Sequence, residues 1–235
     1  NQDGKTTTPD PAEWMNINFY NTQEPSKIRY AHIRYGGQGI NFNPSCWYPS
    51  YSGAVAAYGA SPEISDSVFS SNNAIAVYIK DGAHPVLLRN TISETAISTI
   101  QGTNPGGYGI QIADASSTAD IIGNTFRSNV TAIVSESASD VPLVVRDNIF
   151  QNNQKNGEFN GYANFNLENS GNRDTNRKGG FFIYLYIKDG QQKTLRADSM
   201  PYIVKGGITV AAGGVLIIEQ GAVLKSAPNP QAPSV

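Results

Sequence analysis

The sequence predicts an all-β chain wound as a right-handed parallel β-helix, a solenoid of about five to seven coils with two loop insertions. Three observations predict it. First, a short phrase recurs at Ile64–Phe69, Leu87–Ile92, Ile121–Phe126 and Val145–Phe150, with a looser copy at Ile28–Ile33. Second, its closing apolar residue falls at 33, 69, 92, 126 and 150, in steps of 36, 23, 34 and 24. Two steps share one length and the other two carry an insertion, and self-similarity at such a period marks stacked coils. Third, charged residues make up only 15% of the 235, while Gly, Asn, Ser and Thr are plentiful. Such a chain depends on turns and backbone hydrogen bonds, not on salt-bridged helices.

Each phrase holds two apolar residues five apart. Alternation keeps residues an even number apart on one face of a strand, so an odd spacing requires a bend inside the phrase. The bend is expected at Ala31, Ser67, Asn90, Asn124 and Asn148, because Asn tolerates the left-handed region and bonds its own backbone. Asn90, Asn124 and Asn148 at one corner of successive coils are expected to stack as a ladder. A second strand follows each phrase, at Gly39–Phe42, Ala74–Val77, Gly109–Ile112 and Ala132–Val134, with Ile40, Ile75, Ile110 and Ile133 in one register. Pro62, Pro85 and Pro142 stand just ahead of three phrases, where a missing ladder donor does least harm.

Asn43–Gly53 and Ser98–Gly107 interrupt the rhythm at equivalent places, and are expected to project from one side as the loops where binding evolves. Residues 151–177 read as a degenerate sixth coil or a cap. Gly180–Ile187 is a strand apolar on both faces, and its end, Tyr186–Gly190, repeats the Tyr-Ile-Lys-Asp-Gly of Tyr78–Gly82. The chain thus divides into an extended segment (1–13), the coils (14–177), C-terminal strands (178–225) and a Pro-rich tail (226–235).

Trp14–Phe19, Ser26–Gly37 and the recurring phrases carry a family resemblance. Residues 14–150 resemble bacterial secreted or cell-surface parallel β-helix repeat proteins of the pectin-lyase-like superfamily. Tyr202–Lys225 is similar to the segment that opens such modules, although here it comes last. The resemblance implies the fold, and an extracellular setting. It leaves activity open, because the superfamily mixes polysaccharide-cleaving enzymes with non-catalytic stalks and adhesins. A helix that lacks its opening coil exposes an unpaired edge, and the flat apolar strands 203–210 and 215–224 suit such an edge on another copy. Ile203, Val204, Ile208, Val210, Leu216, Ile218 and Val223 are the expected intersubunit or capping residues. A contact of this kind does not close on itself and would build a filament.

The superfamily's enzymes cluster carboxylates on one face beside a Lys or Arg. The matching column here is Asp66, Arg89, Gly123 and Asp147. Its carboxylates stand three coils apart, about 14 Å at the usual strand spacing, against about 5–9.5 Å for a glycosidase pair. Asp66 and Arg89 therefore read as a cross-strand ion pair. His32 and His84 are far apart in the repeat, and His84 matches a Ser one coil earlier, as a connector would. Asp114, Asp120 and Asp140 read as isolated turn residues, and Cys46 as a small loop or buried residue. Asn129-Val-Thr131 matches a glycan acceptor. Trp47, Tyr48 and Tyr51 form the candidate ligand-binding surface, since exposed aromatic faces stack on sugar rings.

The expected role is a non-catalytic extracellular β-helix module: a structural stalk, an adhesin segment or a head-to-tail surface-filament subunit. The alternative is a carbohydrate-active enzyme, either a polysaccharide lyase or a glycoside hydrolase, or a polysaccharide-binding domain. No catalytic residue, metal or cofactor is expected. The implied partners are copies of the chain, adjacent β-helix modules or polysaccharide. The formal net charge of −2 gives nothing for nucleic acid or an anionic membrane to grip, and no run of 18 apolar residues spans a bilayer. Asn1 in place of Met points to a processed product or an excised piece, the latter favoured.

Overall fold

Turn-rich phrases with an apolar residue on each side of a bend make short strands that change direction every few residues, and this sets the architecture. The computed structural model describes residues 9–21, 26–37, 53–97, 106–139, 141–161, 167–176, 179–198 and 200–227. Six successive turns of chain each contribute three strands. The first is β1 (Ile17–Tyr20), β2 (Lys27–Arg29) and β3 (His32–Arg34), and the second is β4 (Val55–Tyr58), β5 (Glu63–Ser65) and β6 (Val68–Ser70). Next come β7 (Ile75–Lys80), β8 (Val86–Leu88) and β9 (Thr91–Ser93), then β10 (Tyr108–Ile112), β11 (Asp120–Ile122) and β12 (Thr125–Arg127). The fifth holds β13 (Thr131–Ser135), β14 (Leu143–Arg146) and β15 (Ile149–Gln151), and the sixth β16 (Gly157–Gly161), β17 (Leu167–Ser170) and β18 (Arg173–Asp174). After them run β19 (Phe181–Ile187), β20 (Gln192–Leu195), β21 (Tyr202–Val210), β22 (Val215–Ile218) and β23 (Leu224–Ser226).

Like strands stack in parallel. The first strand of every turn joins one nine-stranded sheet from β1 to β23, while the two halves of each phrase build two six-stranded sheets ending at β17 and β18. β20 and β22 pair separately. The result is a parallel β-helix, its crossovers taking the right hand that twisted strands favour. Nine strands at roughly 4.8 Å give the stack a length of about 38 Å. Within residues 151–177, β16, β17 and β18 add a sixth turn, and the C-terminal strands carry the first sheet onward.

Inward side chains line up in files. Ile28, Ile64, Leu87, Ile121 and Val145 form one, and Ile33, Phe69, Ile92, Phe126 and Phe150 another. Phe126 stacks on Phe150 at 5.3 Å, and Phe181 meets Phe150 edge-on. In the nine-stranded sheet the file is Ile17, Val55, Val77, Ile110 and Ile133. Val77, not Ile75, therefore stands beside Ile110. Ile75 pairs with Tyr108 one step earlier along the strand and packs in a separate cluster with Ala56, Tyr58 and Tyr78. Left-handed Ala74 turns the chain at the head of this strand, so Ile75 leaves the inner file in a way that alternation alone does not show. Ile40 lies outside the described residues. The two Tyr-Ile-Lys-Asp-Gly ends do not coincide either: pairing runs from Ile79 through Ile112, Ser135 and Phe159 to Ile183, four residues short of Ile187.

The corner chemistry differs from expectation in one respect. The left-handed residue is the one before the Asn: Tyr30, Asp66, Arg89, Gly123 and Asp147, with φ between 51° and 66°. Asn is there for its amide. Asn124 Oδ1 accepts the Asn90 N–H (2.8 Å) and Nδ2 (3.0 Å), and Asn124 Nδ2 donates to Leu87 O (2.9 Å). Asn148 does the same for Asn124 and Ile121, and Asn172 for Asn148 and Val145. Each buried amide thus satisfies the N–H and C=O that the corner of the turn below cannot pair within its own chain.

A second, parallel ladder stands at the next corner, behind left-handed Tyr35, Ser71, Glu94, Ser128 and Asn152. Gly36 N donates to Asn72 Oδ1, Thr95 N to Asn129 Oδ1 and Asn129 N to Asn153 Oδ1. Asn129 is buried with its amide nitrogen on Ile92 O and Asn153, so it offers no glycan acceptor.

Asn124→Ala orphans the Asn90 N–H and the Leu87 C=O. At roughly 1–3 kcal/mol for each buried group, the loss is about 2–6 kcal/mol. Chemical denaturation should show that loss, whereas Arg89→Ala, solvent-exposed in the same corner column, should leave the midpoint nearly unchanged.

Candidate functional site

Strands of three residues present few outward side chains, and the parallel register sets those of one turn directly over those of the next. Charges consequently meet their partners between turns. Arg29 binds Glu63 at 2.7 Å, with Lys27 at 3.6 Å, and Arg89 clasps Asp66 with two 2.7 Å bonds. The Arg29 hydrogen bond holds the Glu63 carboxyl below its ordinary value, and Arg89 does the same for Asp66. Asp66 in turn raises Arg89. The ion pair expected between Asp66 and Arg89 is present. Gly123 and Asp147 continue that column, but neither extends the ion pair.

Asp120 is not an isolated turn residue. It opens β11 and faces His84 of the turn below at 3.2 Å. Asp114 does hold a turn: its carboxylate accepts the N–H groups of Asp81, Ser116 and Ser117. Burial would raise its pKa, yet these donors outweigh burial and leave it lowered. Asp140 lies outside the described residues. Among those described, no three of His, Cys, Asp and Glu gather as a metal set. Among the described residues, these charges pair between turns and brace corners.

Trp47, Tyr48 and Tyr51, and Cys46 with them, lie outside the described residues. Sequence reasoning missed another aromatic group, on the nine-stranded sheet. Tyr20 stacks on Tyr58 at 4.8 Å, and Tyr58 meets Tyr78 at 5.8 Å. Burial holds the Tyr58 phenol far above its ordinary value, with Tyr20, Tyr78 and Asp81 adding to the effect. The signal was available: these tyrosines all follow apolar strand residues at the head of successive turns.

The C-terminal strands decide between the two readings, intersubunit and capping. Ile203, Val204, Ile208 and Val210 pair within their own chain, with Phe182, Ile183, Leu185 and Ile187, around a bulge that includes Gly206 and Gly207. Leu216 and Ile218 likewise pair with Lys193 and Leu195, and Val223 O accepts the Tyr202 N–H. These residues complete their own solenoid. The edge lies one step further out, on β22 and β23, and at the other end on β1, β2 and β3. Both ends expose apolar side chains. Ile17 is 40% exposed although its file continues into fully buried Val55, and Ile218 is 49% exposed over fully buried Leu195.

A family model described as a right handed beta helix region matches residues 16–174. No curated protein and no solved structure matches the chain.

One carboxylate ties the C-terminal strands to the stack. Glu158 on β16 takes Lys155 at 2.6 Å and, across β19, Lys205 at 2.7 Å. Burial opposes its charge, but the two lysines prevail and its pKa is lowered. A depressed folded pKa stabilises fully above the ordinary carboxylate value of about 4.3, and the contribution fades as pH falls through the folded value. Wild type should therefore melt above Glu158→Gln at pH 7, and that gap should close on acidification, as read by thermal denaturation across pH.

Proposed function

The chain belongs to the right-handed β-helix family, and from that premise we propose that it is a non-catalytic structural module that joins head to tail with copies of itself. The carrying observation is the pair of open ends, where Ile17 and Ile218 stand exposed at the limits of otherwise buried files. Unpaired parallel strand edges over apolar side chains are templates for further strands. The two ends differ, so the contact is heterologous, and a translation along the axis repeats without closing. A secreted or cell-surface setting, as stalk or adhesin segment, belongs to the same proposal and rests on the family resemblance.

The non-catalytic reading has its own support. The carboxylates with lowered pKa are held by arginine, lysine or backbone N–H groups, which keeps them ionised and engaged. A general acid needs the opposite arrangement, a carboxyl raised by burial without a cation.

Sedimentation velocity over a concentration series should show elongated oligomers for the wild type. Ile17→Lys and Ile218→Lys should each remain monomeric, their association weakened at least about tenfold. Mixing the two variants restores one sound end on each and should yield a discrete dimer. A wild type that stays monomeric at high concentration would refute the proposal.

A further inference from the structure

The third sheet ends at β18, whereas the nine-stranded sheet continues through β19, β21 and β23. Among the described residues, no strand continues that wall above β18. A cavity of about 610 Å³ opens there, between Arg173, Asp174 and Thr175 on one side and Pro201, Val223 and Lys225 on the other. That volume lies within the range of small-molecule sites, roughly 300–1,000 Å³.

The polar groups of this cavity are unbalanced. The inner file that runs Phe126, Phe150 reaches Asp174 here, an acid where every earlier turn has an apolar residue. Its carboxylate is already engaged, accepting the N–H groups of Asn176 (2.9 Å) and Gly179 (2.6 Å). The free groups are donors. Neither Arg173 nor Lys225 takes part in an ion pair among the described residues. Behind Gly179, on the cavity's lining, lies the amide of Asn156. That residue is 3% exposed and its Nδ2 has no hydrogen-bond partner, an expensive condition for a buried donor. Gly179 packs directly on this amide, since a Cβ there would collide with Asn156 Nδ2.

Two cations around a single carboxylate, whose oxygens already accept two backbone N–H groups, leave a net positive lining that calls for a ligand made of acceptors. We propose that this cavity binds a small oxyanion, a carboxylate or a phosphate, held between Arg173 and Lys225. The planar guanidinium suits either anion through paired bonds, and the apolar wall of Met200, Pro201 and Val223 limits the water that would screen it. Lys225 lies on β23, an edge of the proposed assembly, but anion binding by the single chain does not require that assembly.

The test is amide NMR and calorimetry on the full chain with citrate, inorganic phosphate and neutral glycerol. At least one anion should shift the signals of residues 173–175 and 223–225, and glycerol should not. The anion that binds identifies the ligand as carboxylate or phosphate. The double variant Arg173→Gln, Lys225→Gln should weaken binding at least about tenfold with an unchanged circular dichroism spectrum, since both side chains are exposed. Lys80→Gln, on β7 and three turns away from β18, should leave binding intact. The proposal is overturned if both anions bind no better than glycerol, or if the double variant binds as well as the wild type.

Discussion

Turning a chain through a tight interior corner strands backbone N–H and C=O groups that neither the sheets nor water can satisfy, and the solenoid depends on solving this at every turn. It does so with a buried amide reaching down from the turn above. Asn90, Asn124, Asn148 and Asn172 each accept a backbone N–H, and each donates to a carbonyl three residues before the corner they serve. A side-chain amide carries a donor and an acceptor in the geometry of a peptide group, so it replaces the missing pair. The ladder is also directional. It starts on Ala31, which has no polar side chain, and ends where Asn172 Nδ2 meets the Asp198 carboxylate.

Once the ladders carry the corners, the residues around them are relieved of other demands. Tyr30, Arg89 and Asp147 sit in the left-handed region with φ above 50°, a conformation L-residues rarely adopt. The buried bonds of the next residue hold them there. Their side chains point to solvent, where charges of adjacent turns fall into register and pair. The same register keeps like positions about 4.8 Å apart along straight columns. Columns favour pairs, such as Asp66 with Arg89 and Asp120 with His84. The open places are the two ends, and the flank where the third sheet stops.

Much of this was legible in the residues, and the failures have physical causes. The Asn124 ladder could be read because the phrase repeats with Asn at a constant distance from two apolar residues. The second ladder followed the same logic, with Asn72, Asn129 and Asn153 each three residues after a closing Phe, but Thr95 and Gly36 interrupt the pattern. Ile75 was misplaced because left-handed Ala74 turns the chain just before it, which alternation does not reveal. Asp120 and His84 looked unrelated because 36 residues separate them, yet one turn of the solenoid puts them in contact. The left-handed corner was assigned to Asn on conformational preference, whereas hydrogen bonding decided where Asn stands.

The repeat spacing by itself determined that the chain winds about one axis, which residues face inward and where the amide columns run. Those features are local and recur every turn, so each copy reinforces the reading of the others. Only the tertiary structure decided how the chain ends. Whether Tyr202–Val210 joins its own sheet or a neighbour's is a choice between two edges of similar chemistry, and the pairing with Phe181–Ile187 settles it within the chain. The cavity over β18 was invisible for the same reason: among the described residues the third sheet stops at β18 while the first continues, and no residue pattern marks that stop.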